Sequence, residues 1–145
     1  MNEFNGCIAL LVFLLSAVFT SNGANVKDFG AKGDGITDDT QSIIMAVANA
    51  DDGVVYFPLG KYRITESIEI ILSTRGRIGL TGAGGTSTII MEGSGPAFKI
   101  TGTHKGTSNP QSIKDEVWQT ERMPVISELE ITGNNPDAVG IELSY

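Results

Sequence analysis

Short apolar runs separated by glycine and other turn residues dominate the chain from residue 54 onward. Most of them alternate apolar and polar positions, which is the period of half-buried β-strands. In order they read VVYF, KYRI, SIEI, RIGLTG, STIIM, AFKITG, SELEITG and VGIEL. An earlier segment, residues 25–30, alternates in the same way and predicts a first short strand, and the glycines of residues 31–35 predict a tight turn. The pattern predicts a protein built mainly from short strands.

One segment has helical periodicity and predicts a single amphipathic helix over residues 38–50. Thr37 or Asp38 is the predicted N-cap, and Asp38 has capping-box spacing with Gln41. The turn at residues 51–53 ends the helix. Its predicted apolar face consists of Ile43, Ile44, Val47 and Ala48. A lone helix among strands must pack against a sheet or across its end.

The arrangement of the strands is open between a sandwich, a barrel and a β-solenoid. The apolar positions Ile78, Ile100 and Ile131 are spaced by roughly 20–30 residues, the size of stacked repeat units. The segments FKITG and LEITG form a weak internal repeat. No Asn-Gly or Asp-Gly pair joins adjacent strands as a hairpin would require. The spacing therefore favours the solenoid.

The stretch from Thr103 to Pro124 departs from this repeat. It contains the single Trp and the single His of the chain and few apolar residues. We interpret it as a loop or an excursion from the solenoid.

The N-terminal stretch from Cys7 to Phe19 is apolar except for Ser16. Thirteen helical residues would rise roughly 20 Å at ~1.5 Å each, less than the ~30 Å of a membrane core. Its position, with the small residues Ser21 and Gly23 after it, predicts a secretory signal over residues 1–23. A membrane anchor and a buried N-terminal helix are the weaker alternatives. We expect residues 24–145 to form the secreted, periplasmic or extracellular protein, with no stable membrane span once the leader is removed.

Charge and cysteine content narrow the possible partners and stabilising groups. The chain has 17 acidic and 10 basic residues, and removal of Glu3 with the leader keeps the balance acidic. Its dispersed charges argue against nucleic acid as a partner, because phosphate binding requires a concentrated basic patch. Cys7 would be lost with the leader, so we expect no disulfide and no thiolate metal site.

An ordered set of motifs covers residues 25 to about 92. The set consists of Asp28-Phe29-Gly30-Ala31, Gly33-Asp34-Gly35, Thr37-Asp38-Asp39-Thr40, Val55-Tyr56-Phe57-Pro58, Gly60, Tyr62 and Arg77-Ile78-Gly79-Leu80-Thr81-Gly82-Ala83-Gly84. It resembles the N-terminal region of the pectate-lyase-like superfamily, which includes polygalacturonases, rhamnogalacturonases and pectate lyases. The resemblance implies an all-β fold, a right-handed single-stranded parallel β-helix with an N-terminal capping α-helix. It also implies a polysaccharide as substrate or ligand.

The same resemblance assigns structural roles at the helix start and in the turns. The residues concerned are Gly30, Gly33, Asp34, Gly35, Thr37, Asp38, Asp39, Pro58 and Gly60. Asp38 and Asp39 could be read as an acid pair for glycoside hydrolysis. Adjacent carboxylates at a helix start more simply cap N–H groups and interact with the helix dipole. Capping is the favoured interpretation.

Three other features could carry chemistry, each with a simpler alternative. The pair Asp51 and Asp52 could be catalytic, but a solvated turn is its default role. His104 could act as an acid or base, although no partner lies at an obvious spacing. Trp118 could stack on a sugar ring or anchor its own loop.

The catalytic elements that the superfamily implies are missing from this sequence. The Asn-x-Asp, Asp-Asp, His-Gly and Arg-x-Lys elements of polygalacturonases are absent from matching places, and the acidic calcium ligands of lyases do not form a cluster. We therefore assign no catalytic, substrate-binding or metal residue, and no cofactor apart from Ca²⁺ if the complete protein is a lyase. The strand pattern continues up to Tyr145, which predicts an incomplete β-helix.

The leading hypothesis is the N-terminal part of an exported hydrolase or lyase of pectin- or uronate-type polymers, inactive as this fragment. The alternative is a non-catalytic carbohydrate-binding or structural module. Whether the chain is enzymatic is left open.

Overall fold

The computed structural model describes residues 23–105 and 109–144, so the predicted leader and Cys7 lie outside the described residues. Strands recur along the whole described chain, and the helices between them are short. The strands are β1 (Ala24–Asn25), β2 (Asp34–Asp38), β3 (Val54–Phe57), β4 (Gly60–Ile64), β5 (Ile68–Ile71), β6 (Gly79–Gly82), β7 (Ser87–Met91), β8 (Gly95–Thr101), β9 (Val125–Ser127), β10 (Leu129–Gly133) and β11 (Ala138–Ser144). The α-helices are α1 (Thr40–Ala48), α2 (Leu72–Arg75) and α3 (Asp115–Thr120), and Val26–Phe29 and Pro110–Ser112 form 3₁₀ helices.

The strands form three sheets in which all pairing is parallel. Sheet A has the order β1-β3-β6-β9, sheet B the order β10-β7-β4-β2 and sheet C the order β11-β8-β5. One pass is a single turn of the chain through sheets A, B and C. Each strand pairs with the equivalent strand of the preceding or following pass, so β3, β4 and β5 stack on β6, β7 and β8. The next pass adds β9, β10 and β11 in the same way. The described fold is thus mostly β, with parallel sheets like those of a β-helix.

Alternation along each strand directs one set of side chains into the space between the sheets. In β3, for example, Val55 and Phe57 are fully buried whereas Val54 and Tyr56 are partly exposed. Phe57 makes edge-to-face contacts with Tyr62 and Phe98, at centroid distances of 5.6 and 6.3 Å. Such aromatic pairs add stability beyond area burial. Residues from all three sheets therefore share one core.

The proposed repeat positions do not correspond to equivalent sites in successive passes. Ile78 immediately precedes β6 of sheet A, Ile100 lies in β8 of sheet C and Ile131 lies in β10 of sheet B. Ile100 in fact pairs with Ile70 and Leu143. FKITG and LEITG belong to different sheets for the same reason. The stacking was therefore predicted from a spacing between residues that belong to different sheets.

The N-terminal region differs from the prediction in two respects. Most of residues 25–30 forms a 3₁₀ helix, because the Asn25 side chain accepts the Lys27 N–H and Gly30 closes the turn at φ 101°. Residues 34–38, predicted as turn and helix start, form β2, which pairs with β4. Helix α1 consequently begins only at Thr40.

Helix α1 also buries a different face from the one predicted. Its buried residues are Thr40, Ile43, Ala46 and Val47, whereas Ile44 is half-buried and Ala48 is exposed. The helix packs on the first 3₁₀ helix and on β5, so Ala46 rather than Ala48 faces the core.

The carboxylates near the start of α1 organise loops rather than form an acid pair. Asp39, the N-cap residue, makes no side-chain cap. Its fully buried carboxylate accepts the N–H groups of Lys32 at 2.7 Å and Gly33 at 2.9 Å. Asp38 accepts the Thr40 N–H and hydroxyl together with the Thr65 hydroxyl. Each carboxylate therefore joins segments that are separate in sequence.

Thr37 does not cap the helix, because its hydroxyl donates to Asp34. The Asp34 carboxylate also accepts the N–H groups of Ile36 and Thr37, and these backbone hydrogen bonds, that of Thr37 foremost, hold the pKa of Asp34 below its ordinary value of 3.8. The residue stabilises its own turn, in which Gly33 and Gly35 have positive φ.

The corner at Pro58 is anchored from two sides. Its carbonyl accepts the Tyr62 hydroxyl at 2.7 Å, and the buried Ser87 hydroxyl lies within hydrogen-bond distance of the carbonyls of Phe57 and Pro58. Burial, and secondarily the negative charge of Asp39, raises the pKa of Tyr62 to about 12. Tyr62 therefore remains a hydrogen-bond donor throughout the neutral range.

Gly82 provides a test of the stacking between passes. A Cβ at Gly82 would lie 2.0 Å from the carbonyl oxygen of Glu128 in the next pass, whereas a Cβ at Gly79, in the same strand, would meet no atom closer than 3.7 Å. We expect Gly82→Ala to lower the free energy of unfolding by about 1–3 kcal/mol or more through overpacking, and Gly79→Ala to change it far less. Denaturant unfolding checks both variants. Equal midpoints for the two would contradict the stacking of β6 on the Glu128 corner.

Asp38 provides a test of the loop contacts. Burial raises the pKa of Asp38, but the hydrogen bonds from Thr40 and Thr65 and the charge of Arg63 outweigh it, and the pKa lies below 3.8. A depressed folded pKa adds stability above the unfolded value and loses it as the pH falls through the folded one. The unfolding midpoint should therefore drop between about pH 5 and pH 2, and the drop should be smaller in Asp38→Asn.

The matched control for this experiment is Asp51→Asn. Asp51 is exposed, and its carboxylate accepts no hydrogen bond within residues 23–105 and 109–144. The pH dependence of this control should match that of the unmodified protein. An Asp38→Asn variant with an undiminished drop would show that the contacts of Asp38 do not form in solution.

Candidate functional site

The segment between β8 and β9 projects from the stacked sheets, as the sequence predicted for residues 103–124. It carries the second 3₁₀ helix and α3. Its ends are joined by Glu121, whose carboxylate accepts the Thr103 N–H at 2.9 Å and the Thr103 hydroxyl. Helix α3 rests on α2. The segment, hereafter the insertion, is therefore held against the side of the fold at both its base and its helix.

A cavity of about 450 Å³, the insertion pocket, lies between the insertion and α2. Its wall is mainly apolar, with a few polar groups. The lining residues are Leu72, His104, Ile113, Val117, Trp118, Glu121, Arg122, Met123 and Pro124. Pockets of this size, apolar with few polar groups, are typical of small-molecule sites. The insertion pocket is the best-formed candidate site of the described chain.

Two residues singled out in the sequence, His104 and Trp118, meet in this pocket. Trp118 is 56% exposed on α3, so one face of its ring is available to a ligand. His104 is half-buried at the base of the insertion. The sequence did not indicate this proximity, because thirteen intervening residues separate the two and no periodicity relates them. Asp51 and Asp52 remain apart from this pocket, in the turn between α1 and β3.

Arg122 was missed by the sequence analysis. It is exposed at the end of the insertion, and no carboxylate lies within ion-pair distance of it in the described part of the chain. Its guanidinium can bind a carboxylate through two parallel hydrogen bonds. A signal was available, since Arg122 precedes β9 much as Arg77 precedes β6, and these strands are neighbours in sheet A.

The described donor groups were compared with the requirements of a metal centre. Within the described residues, no group of three or more His, Cys, Asp or Glu side chains is placed to hold an ion. The calcium that a lyase would require therefore has no set of ligands among them. No described helix has the length and hydrophobicity needed to cross a membrane.

The described residues that line the pocket include no pair of carboxylates. Glu121 is its one carboxylate among the described residues that line it, and both oxygens of Glu121 are engaged by Thr103. Glycoside hydrolysis would require two carboxylates flanking the bond. An aromatic face beside a cation and apolar walls is instead suited to holding a sugar ring that carries a negative charge.

Comparison with known proteins finds relatives in both sequence and structure. Alginate lyase 7 of Azotobacter vinelandii is 38% identical over 122 residues, which is 80% of this chain and 13% of that enzyme. The structure of ORF18 of Geobacillus virus E2 matches with a TM-score of 0.62 and 32% identity, over 81% of this chain and 22% of that one. The A-module of the Azotobacter vinelandii mannuronan C-5 epimerase AlgE4 matches with a TM-score of 0.53 and 27% identity, over 83% and 33%.

The chain spans a third or less of the length of each of these proteins. A sequence model of the family described as rhamnogalacturonase A/epimerase, pectate lyase-like, matches residues 23–138. That range includes nearly all of the described strands and the insertion. The chain therefore belongs to the rhamnogalacturonase A/epimerase family of pectate lyase-like proteins.

Proposed function

We propose that this chain is the N-terminal part of an exported, polysaccharide-active protein with a right-handed, single-stranded parallel β-helix. Residues 1–23 are the export signal, and residues 24–145 form the first coils. Helix α1 caps the N-terminal end, an assignment supported by the burial of Ile43, Ala46 and Val47 beside the first strands. The protein acts in a secreted, periplasmic or extracellular location.

The proposed substrate is an acidic polysaccharide of the uronate type. The observation that carries this proposal is the family match over residues 23–138, together with relatives named for alginate and mannuronan that match 80% and 83% of this chain. The insertion pocket supports it chemically. Trp118 offers a ring face for stacking, and Arg122 offers a guanidinium for a sugar carboxylate.

In this proposal the described residues bind the polymer and orient it, and the bond-breaking step belongs to residues outside this chain. Glu121 holds the insertion in place through Thr103 rather than transferring a proton. The complete protein would cleave its polymer by hydrolysis or β-elimination. The chain by itself is expected to be inactive.

The alternative is a non-catalytic module that binds carbohydrate or serves as a structural stem. One observation favours it: the insertion pocket has a stacking residue and a cation, but its carboxylate is already engaged. Incubation with alginate and polygalacturonate tests the expected inactivity of the chain. New reducing ends or unsaturated products from the purified chain would contradict the expected inactivity, and binding without products agrees with both the proposed fragment and the module.

The stacking role of Trp118 gives a direct test of polysaccharide binding. We expect Trp118→Ala to weaken alginate binding about tenfold, equivalent to ~1.4 kcal/mol, and Trp118→Phe to retain most of the affinity. Calorimetric titration measures the change. Ile36→Ala is the control, because Ile36 is also an exposed apolar residue and lies in β2, away from the pocket. Undiminished binding by Trp118→Ala would remove the insertion pocket as the sugar site.

A further inference from the structure

A second cavity shares a wall with the insertion pocket. It also measures about 450 Å³, and it lies along the starts of β3, β6 and β9 on the outer face of sheet A. Arg122 and Met123 line both cavities. These two residues thus form a ridge with the insertion pocket on one side and this second cavity, hereafter the sheet A trough, on the other.

The trough is deepest at Gly79, which has no side chain to fill it. Val54, Gly79 and Val125 are paired in register across β3, β6 and β9. Gly79 has no side chain, so a depression remains between the two valines. Two strand spacings of ~4.8 Å make this floor about 10 Å wide. It is a shallow, open surface that a chain-like ligand could cross.

Hydroxyl groups lie next to this depression. At the next outward position along the strands, Thr81 is paired with Ser127, and their hydroxyl oxygens are 3.2 Å apart. A hydroxyl can both donate and accept hydrogen bonds. The trough therefore offers polar contacts to the hydroxyls of a sugar beside an apolar floor.

Exposed arginines line both cavities. Arg77 lines the trough and is exposed like Arg122, and the ion pair between Lys99 and Glu69 involves neither of them. Within residues 23–105 and 109–144 neither arginine lies within ion-pair distance of a carboxylate.

The acidic side chains of the cavities are engaged with the protein itself. Asp52, in the trough, accepts the Val54 N–H at 3.0 Å, and Glu121, in the insertion pocket, accepts hydrogen bonds from Thr103. A ligand carboxylate would meet two guanidinium groups that take part in no ion pair within the described residues, and each can bind it through two parallel hydrogen bonds.

We infer that the sheet A trough is a second saccharide subsite, and that one carboxylate-bearing polysaccharide chain runs from the insertion pocket across Arg122 to Arg77. This inference rests on the proposed function and extends it to the outer face of sheet A. Charge complementarity selects the occupant, because two arginines flank a path lined by apolar and hydroxyl-bearing residues.

The test is the dependence of binding on oligosaccharide length. Alginate disaccharides and hexasaccharides are titrated into the purified protein and into the variants Arg77→Gln, Arg122→Gln and Trp118→Ala. Trp118→Ala and Arg122→Gln should weaken both ligands. Arg77→Gln should weaken the hexasaccharide about tenfold and leave the disaccharide unchanged, because only the longer ligand reaches the trough.

Lys61→Gln is the matched control for charge. Lys61 is an exposed cation in β4 of sheet B, and its loss changes the net charge as much as Arg77→Gln does. A carboxyl-reduced hexasaccharide is the matched control for the ligand, and its affinity should not respond to Arg77→Gln. An effect of Arg77→Gln no larger than that of Lys61→Gln would overturn the inference.

A steric variant tests the path without changing charge. A Cβ at Gly79 has no close neighbour, and valine is favourable in strands, so Gly79→Val should fold and fill the depression. It should weaken the hexasaccharide and spare the disaccharide. Unchanged hexasaccharide binding by Gly79→Val would exclude the trough as its path.

The outcomes separate the two proposals. Binding that depends on Trp118 but not on Arg77 or Gly79 would refute the trough and keep the proposed function. Absence of binding for both alginate ligands by the unmodified protein would refute both.

Discussion

Parallel pairing between successive passes is the constraint on which this structure depends. A strand pairs with a partner one pass away, so each pass depends on its neighbouring passes both for its backbone hydrogen bonds and for the burial of its core side chains. The corners leave little room, and the Gly82 backbone lies against the Glu128 carbonyl closely enough to exclude a Cβ. Buried anchors such as Asp39, which binds the Lys32 and Gly33 N–H groups, then fix the loops relative to the stacked strands.

The sequence contained enough to predict most of the strands and the family. Alternation in VVYF, KYRI and STIIM reflects side chains that enter a common core, and these runs became β3, β4 and β7. It was harder to predict which strands occupy equivalent positions in successive passes, because FKITG and LEITG are similar in sequence but lie in different sheets. A strand with alternating apolar and polar residues can bury its apolar side chains in any of the three sheets. Similarity between short runs therefore does not identify equivalent positions. The residues at the start of α1 were misplaced because β2 competes with the helix for them, and pairing with β4 prevails.

The candidate site was predictable only in part. The sequence marked the insertion, His104 and Trp118 as unusual, but their proximity depends on how α3 packs against α2. Arg122 belonged to no motif and Arg77 only to the family motif of residues 77–84, and the two flank one trough only because β6 and β9 are neighbours in sheet A. In a stacked fold, residues from successive passes lie side by side on one face. Such a face can contact a long polymer, because each pass adds a strip of surface along it.

The most direct measurement is amide hydrogen exchange of the protein with and without an alginate hexasaccharide. The account predicts that the ligand slows exchange in two regions, the insertion around Trp118 and the starts of β6 and β9. Exchange on the outer face of sheet C, around Glu69 and Lys99, should be unchanged. Protection confined to sheet C, with none at the insertion or at Gly79, would contradict a binding path across the insertion and sheet A.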